Sequence, residues 1–594
     1  MQSGVLAPFL LVVQAVWLLG PGVLVGLELA RRGVIADYLV VPVAGVVGCL
    51  VGYGALWFYL AGDHLGRAYS YLTAALAVAS VAVIALRRAS RAQLLKVDVA
   101  APLTLLGLVT MFYVGLTFSC TVPVHQNNYL NNACHLDNLF GDNLIPQIFA
   151  DNILARVPKA TVWDWQTSTR PPLQTGVTLM QDPWIHGFGG HLLGYETVAV
   201  LLQVLWLPAM WAVLRALKLS GYRLVAVLTM CVFTGFFLFN SVYVWPKLIA
   251  GAMTLTALAL MFFEKRSWWT WTLAGLAAGA GLLAHSGVAF TLIPMAALLL
   301  LRRYRPQLRY LVLAGAAGLL ALVPWELYQK LYDPPGDQLL KYHFAGVWEP
   351  AKPGVPTHSL GHLVVKAYTD PPFTTILYNK WINVIGYFGY SGSGGAIPNG
   401  GGGGAWGILR ANEFTYLIYG LGLFDLALLL LLSPAVRRRL GLAMDVPRLK
   451  LMFGIIGINL VVEALVEYGP SLATPAIFQG SYALMMLLFV ALGAVLTVLP
   501  RRAVNVLVAL DVAWGSVVWI ALVWWPHQNH HHSFMVLTAL SGAALLAALW
   551  LSARWLDSTP DGDQPRTASA IPHPRGHDPF KAASPSPEGA PAVS

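Results

Sequence analysis

The chain has 594 residues, of which 57% are hydrophobic and only 11% charged, with a mean hydropathy of +0.64. A soluble chain of ordinary composition carries about 25% charged residues, so this composition excludes a water-soluble globular domain and makes the bilayer the solvent. The net charge of +10 reads as a bias of the loops, because Lys and Arg collect on the cytoplasmic side of membrane proteins, and nucleic acid is not expected as a partner.

About fifteen apolar spans, each near the ~20 residues that cross a bilayer, follow one another along the chain. They cover residues 5–29, 38–62, 68–86, 102–121, 192–215, 222–243, 246–263, 268–285, 287–301, 309–329, 413–433, 450–468, 480–499, 503–525 and 533–554. The first is long and lacks both a basic start and a small-residue cleavage site, so it reads as an anchor. Basic residues at Arg31-Arg32, Arg87 to Arg91, Arg215 to Arg223, Lys265-Arg266, Arg302 to Arg309, Arg437 to Lys450 and Arg501-Arg502 fall in alternate loops. All are inside if the N-terminus is outside. The loops 123–191, 331–411, 469–479 and 526–532 are then outside and the C-terminus is cytoplasmic. The expected fold is an all-α polytopic membrane protein. Residues 557–594, rich in Pro, Ser, Asp and Gly, read as a disordered cytoplasmic tail.

Cys49 and Cys231 sit inside apolar spans and read as small core residues. Cys120 and Cys134 fall at the outer face, where an oxidising compartment allows a disulfide. A bridge there, or two free thiols, are the two readings. No cysteine spacing suggests a metal cluster.

The loop 123–191 carries the candidate site. Pro146 suits the first turn of a helix, which runs through Ile148, Phe149, Ile153 and Leu154 on one apolar face. Asn143, Gln147 and Asp151 fall on the other face, so the helix is expected to lie on the membrane surface with its apolar side down. Asp142 precedes it, where the helix N-terminus favours the ionised carboxylate. It can be a helix cap, a general base, or a ligand of a divalent metal such as Mg or Mn. Arg170-Pro171-Pro172 follows. The prolines hold the residue before each in an extended form, and a guanidinium so presented pairs with phosphate through a planar fork of donors. A snorkelling interface arginine is the other reading.

The order Asp142-Asn143, Phe149-Ala150, Arg170-Pro171-Pro172-Leu173 resembles the first outer loop of GT-C glycosyltransferases, in the branch of the lipid A aminoarabinose transferases and protein O-mannosyltransferases. Residues Leu273 to Gly287 resemble that family's Gly-Leu-rich helix ending in Thr-Lys-Gly. Val323-Pro324-Trp325, followed by Gly336, resembles its Pro-Trp helix end. The resemblance covers about 102–350 well and the rest in layout. It implies a GT-C-like helical bundle with surface helices in the first large outer loop. The first 100 residues are then an N-terminal addition, 101–350 the catalytic core, 351–411 an outer Gly-rich loop and 412–556 the C-terminal spans.

What the resemblance implies is an inverting transfer at the outer face of a bacterial cytoplasmic (inner) membrane. A sugar leaves a polyprenyl-phosphate donor for a lipid, polysaccharide or protein acceptor. Asp142 takes the acceptor proton, and Arg170, with Lys247, holds the donor phosphate. The chain departs from the family in placing Asn143 where a second acid is expected, which puts a two-carboxylate metal site in doubt. Arg170 stands for Lys, Lys247 for an acid and His285 for Lys. Glu463 and Glu467, four apart on one face of a span, are candidates for the substrate cavity, as are Asn143, Asp151 and His285. Asp425 lies within another span, and His527, His530, His531 and His532 form an outer cluster that reads as a polar turn or a metal site. Buried carboxylates also suit a secondary transporter; a polysaccharide polymerase or ligase is a third reading.

Overall fold

The computed structural model describes residues 4–119, 141–162, 165–188, 191–219, 221–349, 357–386, 424–471, 482–520 and 531–558. Cys120 and Cys134, most of the Gly-rich loop, His527, His530 and the tail lie outside these residues. Within them the chain is helical, apart from a pairing of Thr161–Val162 with Trp165–Gln166. Among the described residues eight helices are long and apolar enough to cross a bilayer, and one bent pair raises the number to nine. Each of the other spans read from the sequence falls, where it is described, on a helix too short or too polar to meet that measure.

The chain opens with α1 (Leu6–Arg31), α2 (Val40–Ala61), α3 (Asp63–Leu86), the short α4 (Arg88–Leu94) and α5 (Val97–Ser119). After α6 (Ile145–Leu154), α7 (Leu173–Phe188) and α8 (His191–Val204), α9 (Trp206–Ala216) completes the most deeply buried span. α10 (Gly221–Phe233) and α11 (Gly235–Val242) meet at a 57° bend. There the Thr234 hydroxyl donates back to the Met230 carbonyl, 2.7 Å away, a bond that often bends helices. Next come α12 (Lys247–Phe262), α13 (Trp268–Ala284), α14 (Ala289–Leu300) and α15 (Leu308–Leu327), then the shorter α16 (Gln338–Ala345), α17 (Leu360–Thr369) and α18 (Phe373–Gly386). The described residues close with α19 (Phe424–Leu429), α20 (Pro434–Ala443), α21 (Val446–Val466), α22 (Tyr482–Leu496), α23 (Arg501–Val518) and α24 (His532–Ser558).

Small residues bring these helices together, as packing in lipid requires. A methyl group at Gly275 of α13 would run into the Ala314 backbone of α15, and one at Gly279 into Gly318. α13 begins with a capping box, in which the Ser267 hydroxyl accepts from the Thr270 N–H and the Thr270 hydroxyl accepts from the Ser267 N–H.

The basic loops share one end of the bundle. Lys96 pairs with Asp37, Tyr38 donates to Glu264, Arg215 pairs with Asp98, and Arg448 donates to the carbonyls of Ala216 and Phe263. Arg223 reaches Leu496, Arg501 lies over Tyr222, and Arg266 reaches Tyr304 and Arg305. The first described residues, α5 and α24 are joined at the other end, where Gly4 N–H donates to Ser533 and Phe118 stacks on Phe534.

One expectation for the first outer loop changes. Its second half forms α7, a buried helix packed on α2 so closely that Gly176 faces the backbone of Gly52 and Tyr53. On α6, Gln147 is as buried as Phe149 and Ile153, and Asn143 in the turn before it is buried too, while Asp151 stays half-buried. The start of its polar face therefore turns into protein, where the Pro146 carbonyl accepts from Thr175 of α7.

Candidate functional site

Asp142 and Asn143 lie in a tight turn, Gly141–Leu144, that leads into α6. The N-cap is Leu144, with no side-chain cap, so Asp142 stands two residues upstream of the capping position. Pro146 is in the first turn of the helix as expected. The Asn143 carbonyl accepts from the Tyr195 hydroxyl at 3.4 Å, and the Pro146 carbonyl from Thr175 at 3.1 Å. Asp151 is half-buried one turn before the end of α6.

Arg170 is extended, as the prolines after it demand, and buried. Its guanidinium lies 4.2 Å from the Trp165 ring, and Trp165 is backed by Trp348 at 3.9 Å between ring centres. The segment is pinned from the other side by Gln329, whose amide donates to the carbonyls of Ser168 and Gly336, each at 2.6 Å.

Lys247 opens α12 and is fully buried. Its ammonium sits 3.5 Å from the centre of the Trp245 ring and 5.4 Å from that of Tyr482, two cation–π contacts. The turn before it is strained. Val244 has a φ of +51°, an outlier for a β-branched residue, of the kind that clusters at functional sites.

His285 ends α13. Its Nδ1 accepts from the Gly287 N–H at 3.1 Å, so the neutral ring carries its proton on Nε2. The ring is buried, and Lys247, His343 and Arg170 are all near enough for their charges to act on it. His343 of α16 lies 5.6 Å away between ring centres and meets the Ser286 hydroxyl at 3.3 Å.

Glu463 accepts from the Asn459 amide at 2.8 Å, and Asn459 accepts from Thr291 at 2.6 Å. Glu467 lies one residue past the end of α21 and is buried. Glu463, Lys247 and Lys380 are the charged groups that act on it. Lys380 of α18 donates to the Glu467 carbonyl at 3.2 Å, and burial brings its own pKa down to about 8. The next residue, Tyr468, has a φ of +62° and its N–H donates to the His343 carbonyl at 2.6 Å.

One neighbourhood thus holds Arg170, Lys247, His285, Glu463 and Glu467, contributed by the ends of helices and one extended segment. His343, Lys380, Tyr468 and Tyr482 belong to it and were not singled out in the sequence. The Asp425 backbone is in α19. Among the described residues no three His, Cys, Asp or Glu side chains are grouped to hold a metal ion. An apolar cavity of about 360 Å³ lies at the bend between α10 and α11, walled by Phe112, Phe233, Leu238, Trp519 and Met535. It stands at the start of α11, whose far end leads through Val244 to Lys247.

No protein-family model, no curated protein and no solved structure matches this chain.

Proposed function

We propose that the chain is a GT-C-type glycosyltransferase. It moves a sugar from a polyprenyl-phosphate donor to a lipid, glycan or protein acceptor at the outer face of a bacterial cytoplasmic membrane. One observation carries this reading: two cations far apart in sequence, Arg170 and Lys247, are each buried against a tryptophan ring, and contacting rings lead from Trp165 under Arg170 through Trp348, Tyr342 and Tyr468 to His343 and His285. The turn bearing Asp142 is tied into the same end of the bundle through Tyr195.

In this reading the acceptor hydroxyl attacks the anomeric carbon, with inversion, as its proton passes to the Asp142 carboxylate. The bond from that carbon to the phosphate oxygen breaks, and the leaving phosphate keeps the electron pair. Arg170 and Lys247 stabilise the charge that grows on it. Their aromatic backing keeps both cations oriented. The cavity at the α10–α11 bend is where the prenyl chain lies, about one short helix from Lys247.

Native mass spectrometry of purified protein, wild type against Arg170→Ala, tests the reading. A polyprenyl phosphate or its glycosylated form held by wild type and lost in the variant is the expected result. No prenyl phosphate bound to wild type, even when it is supplied, would overturn it. The transporter reading draws on the bent α10–α11 pair and on Glu196 of α8, whose carboxylate oxygens are buried with no hydrogen-bond partner among the described residues.

A further inference from the structure

A chain of buried amides links three segments of the site. Gln203 of α8 accepts from the Ile249 N–H at 3.3 Å, which is one of the first-turn donors of α12 that no helical carbonyl can satisfy. The Gln203 amide donates to the Gln174 side-chain oxygen, Oε1, at 3.0 Å. Gln174, four residues after Arg170, donates to the Tyr195 hydroxyl at 2.9 Å and to the strained Val244 carbonyl at 3.2 Å. Tyr195 then donates to the Asn143 carbonyl at 3.4 Å. All three side chains are essentially inaccessible: Gln203 and Tyr195 are 0% exposed and Gln174 is 1% exposed.

Polar groups are expensive in this setting, and apolar side chains would fill the same space. The donors and acceptors run without a break from the start of α12 to the turn of Asp142. Every link is a bond between elements that are separate in sequence, and only the one from the Ile249 N–H also serves a helix, by satisfying a first-turn donor of α12. Gln174 also restrains the carbonyl of the one residue before Lys247 that has an unfavourable φ.

We infer that Gln203, Gln174 and Tyr195 form a positioning relay that fixes the Asp142 turn, the Arg170 segment and the start of α12 relative to one another. These are positioning residues and touch no substrate. The inference rests on the proposed function only for its consequence on transfer; the mechanical coupling stands apart from it. Its loss displaces a base relative to a phosphate clamp, and misplacement by about 1 Å costs on the order of a hundredfold in rate.

The test uses the full chain with Gln203→Met, which keeps shape and removes the bonds, and Tyr195→Phe, which removes only the hydroxyl. Hydrogen exchange is read over 141–149 and 244–250, with transfer kinetics alongside. The expected result is faster exchange in both segments for either variant, no change in exchange elsewhere, and kcat lowered about tenfold to a hundredfold with donor KM within about twofold. Gln203→Glu, which retains the acceptor for Ile249, restores exchange at 247–250 only. Unchanged exchange at 141–149 in both variants overturns the relay. Faster exchange with wild-type kcat overturns its positioning role. Should wild type itself transfer no sugar, the proposed function fails, and the exchange data still decide the coupling. If Gln203→Met does not fold, Tyr195→Phe alone gives the same decision.

Discussion

Arg170 and Lys247 are both buried cations resting on tryptophan rings. A cation held this way has its position set before an anion arrives, so removing it takes away binding energy and preorganisation together. Arg170→Ala and Asp142→Ala are each expected to lower transfer at least about a hundredfold while leaving expression and thermal stability near wild type. A variant with wild-type turnover sinks its assignment. The site also has a pH signature. The native Lys380 gives up its proton near pH 8, whereas the unfolded chain holds it to about 10.5. Between these values the unfolded state binds more protons, so stability rises with pH across the window. Thermal unfolding at pH 7 and pH 10 measures that rise, and Lys380→Met is expected to remove it. The same rise in the variant would place its origin elsewhere.

Asp142, Arg170 and the Glu463–Glu467 pair stand out in the sequence because each is a polar group at the edge of an apolar run or beside restrictive prolines, whereas Lys247 is marked only by the family resemblance. His343, Lys380 and Tyr468 carry no such mark. They reach the site through contacts between helices; only Tyr468, next to Glu467, has a neighbour that the sequence marks.

At the level of helices, apolar runs near ~20 residues long are read well because the cost of exposing a backbone to lipid leaves helix as the answer. α7 escapes that reading. Gln174, Thr175, Thr178, Gln181 and Asp182 lower its hydropathy, yet its polar groups are bonded inside the bundle: Thr175 to Pro146, Gln181 to Gln14, Gln174 into the relay. The bend at Thr234 also escapes, since a continuous apolar run hides a break. The α13–α15 crossing offers a direct test at this scale. Gly275→Val places branched methyls against the Ala314 backbone and is expected to cost about 1–3 kcal/mol, measured as a lower melting temperature in detergent. Because α13 ends in His285 and α15 leads to the Gln329 latch, donor binding should weaken with it. An unchanged melting temperature would show that the two helices can part freely.

For the molecule as a whole, the gathering of basic loops at one end predicts a topology. In a background without the native cysteines, Arg305→Cys and Arg91→Cys should be labelled by an impermeant thiol reagent only after the cytoplasmic side is opened, and Asp337→Cys without opening. Labelling of Arg305→Cys and Arg91→Cys from outside, with Asp337→Cys labelled only after opening, would reverse the assignment. The first three helices are more than an added anchor. α2 packs on α7, Gln14 donates to Gly194 of α8, and Arg156 donates to Tyr59. Deleting residues 1–95 is expected to abolish the folded protein rather than yield a smaller active core, checked by gel filtration and protease resistance.

The lid of this arrangement is fitted last. α24 covers α5 so closely that Gly115 faces the Thr538 backbone, and Asp557 near its end receives the Tyr222 N–H. During synthesis, α5 enters the bilayer with that flank bare and stays so until the ribosome has made more than four hundred further residues. A nascent chain in that interval offers the small-residue face of α5 to any neighbouring helix, which leaves it open to mispairing. A nonsense change shortly before His532 is then expected to act through membrane proteolysis, although Asp142, Arg170 and Lys247 are all made.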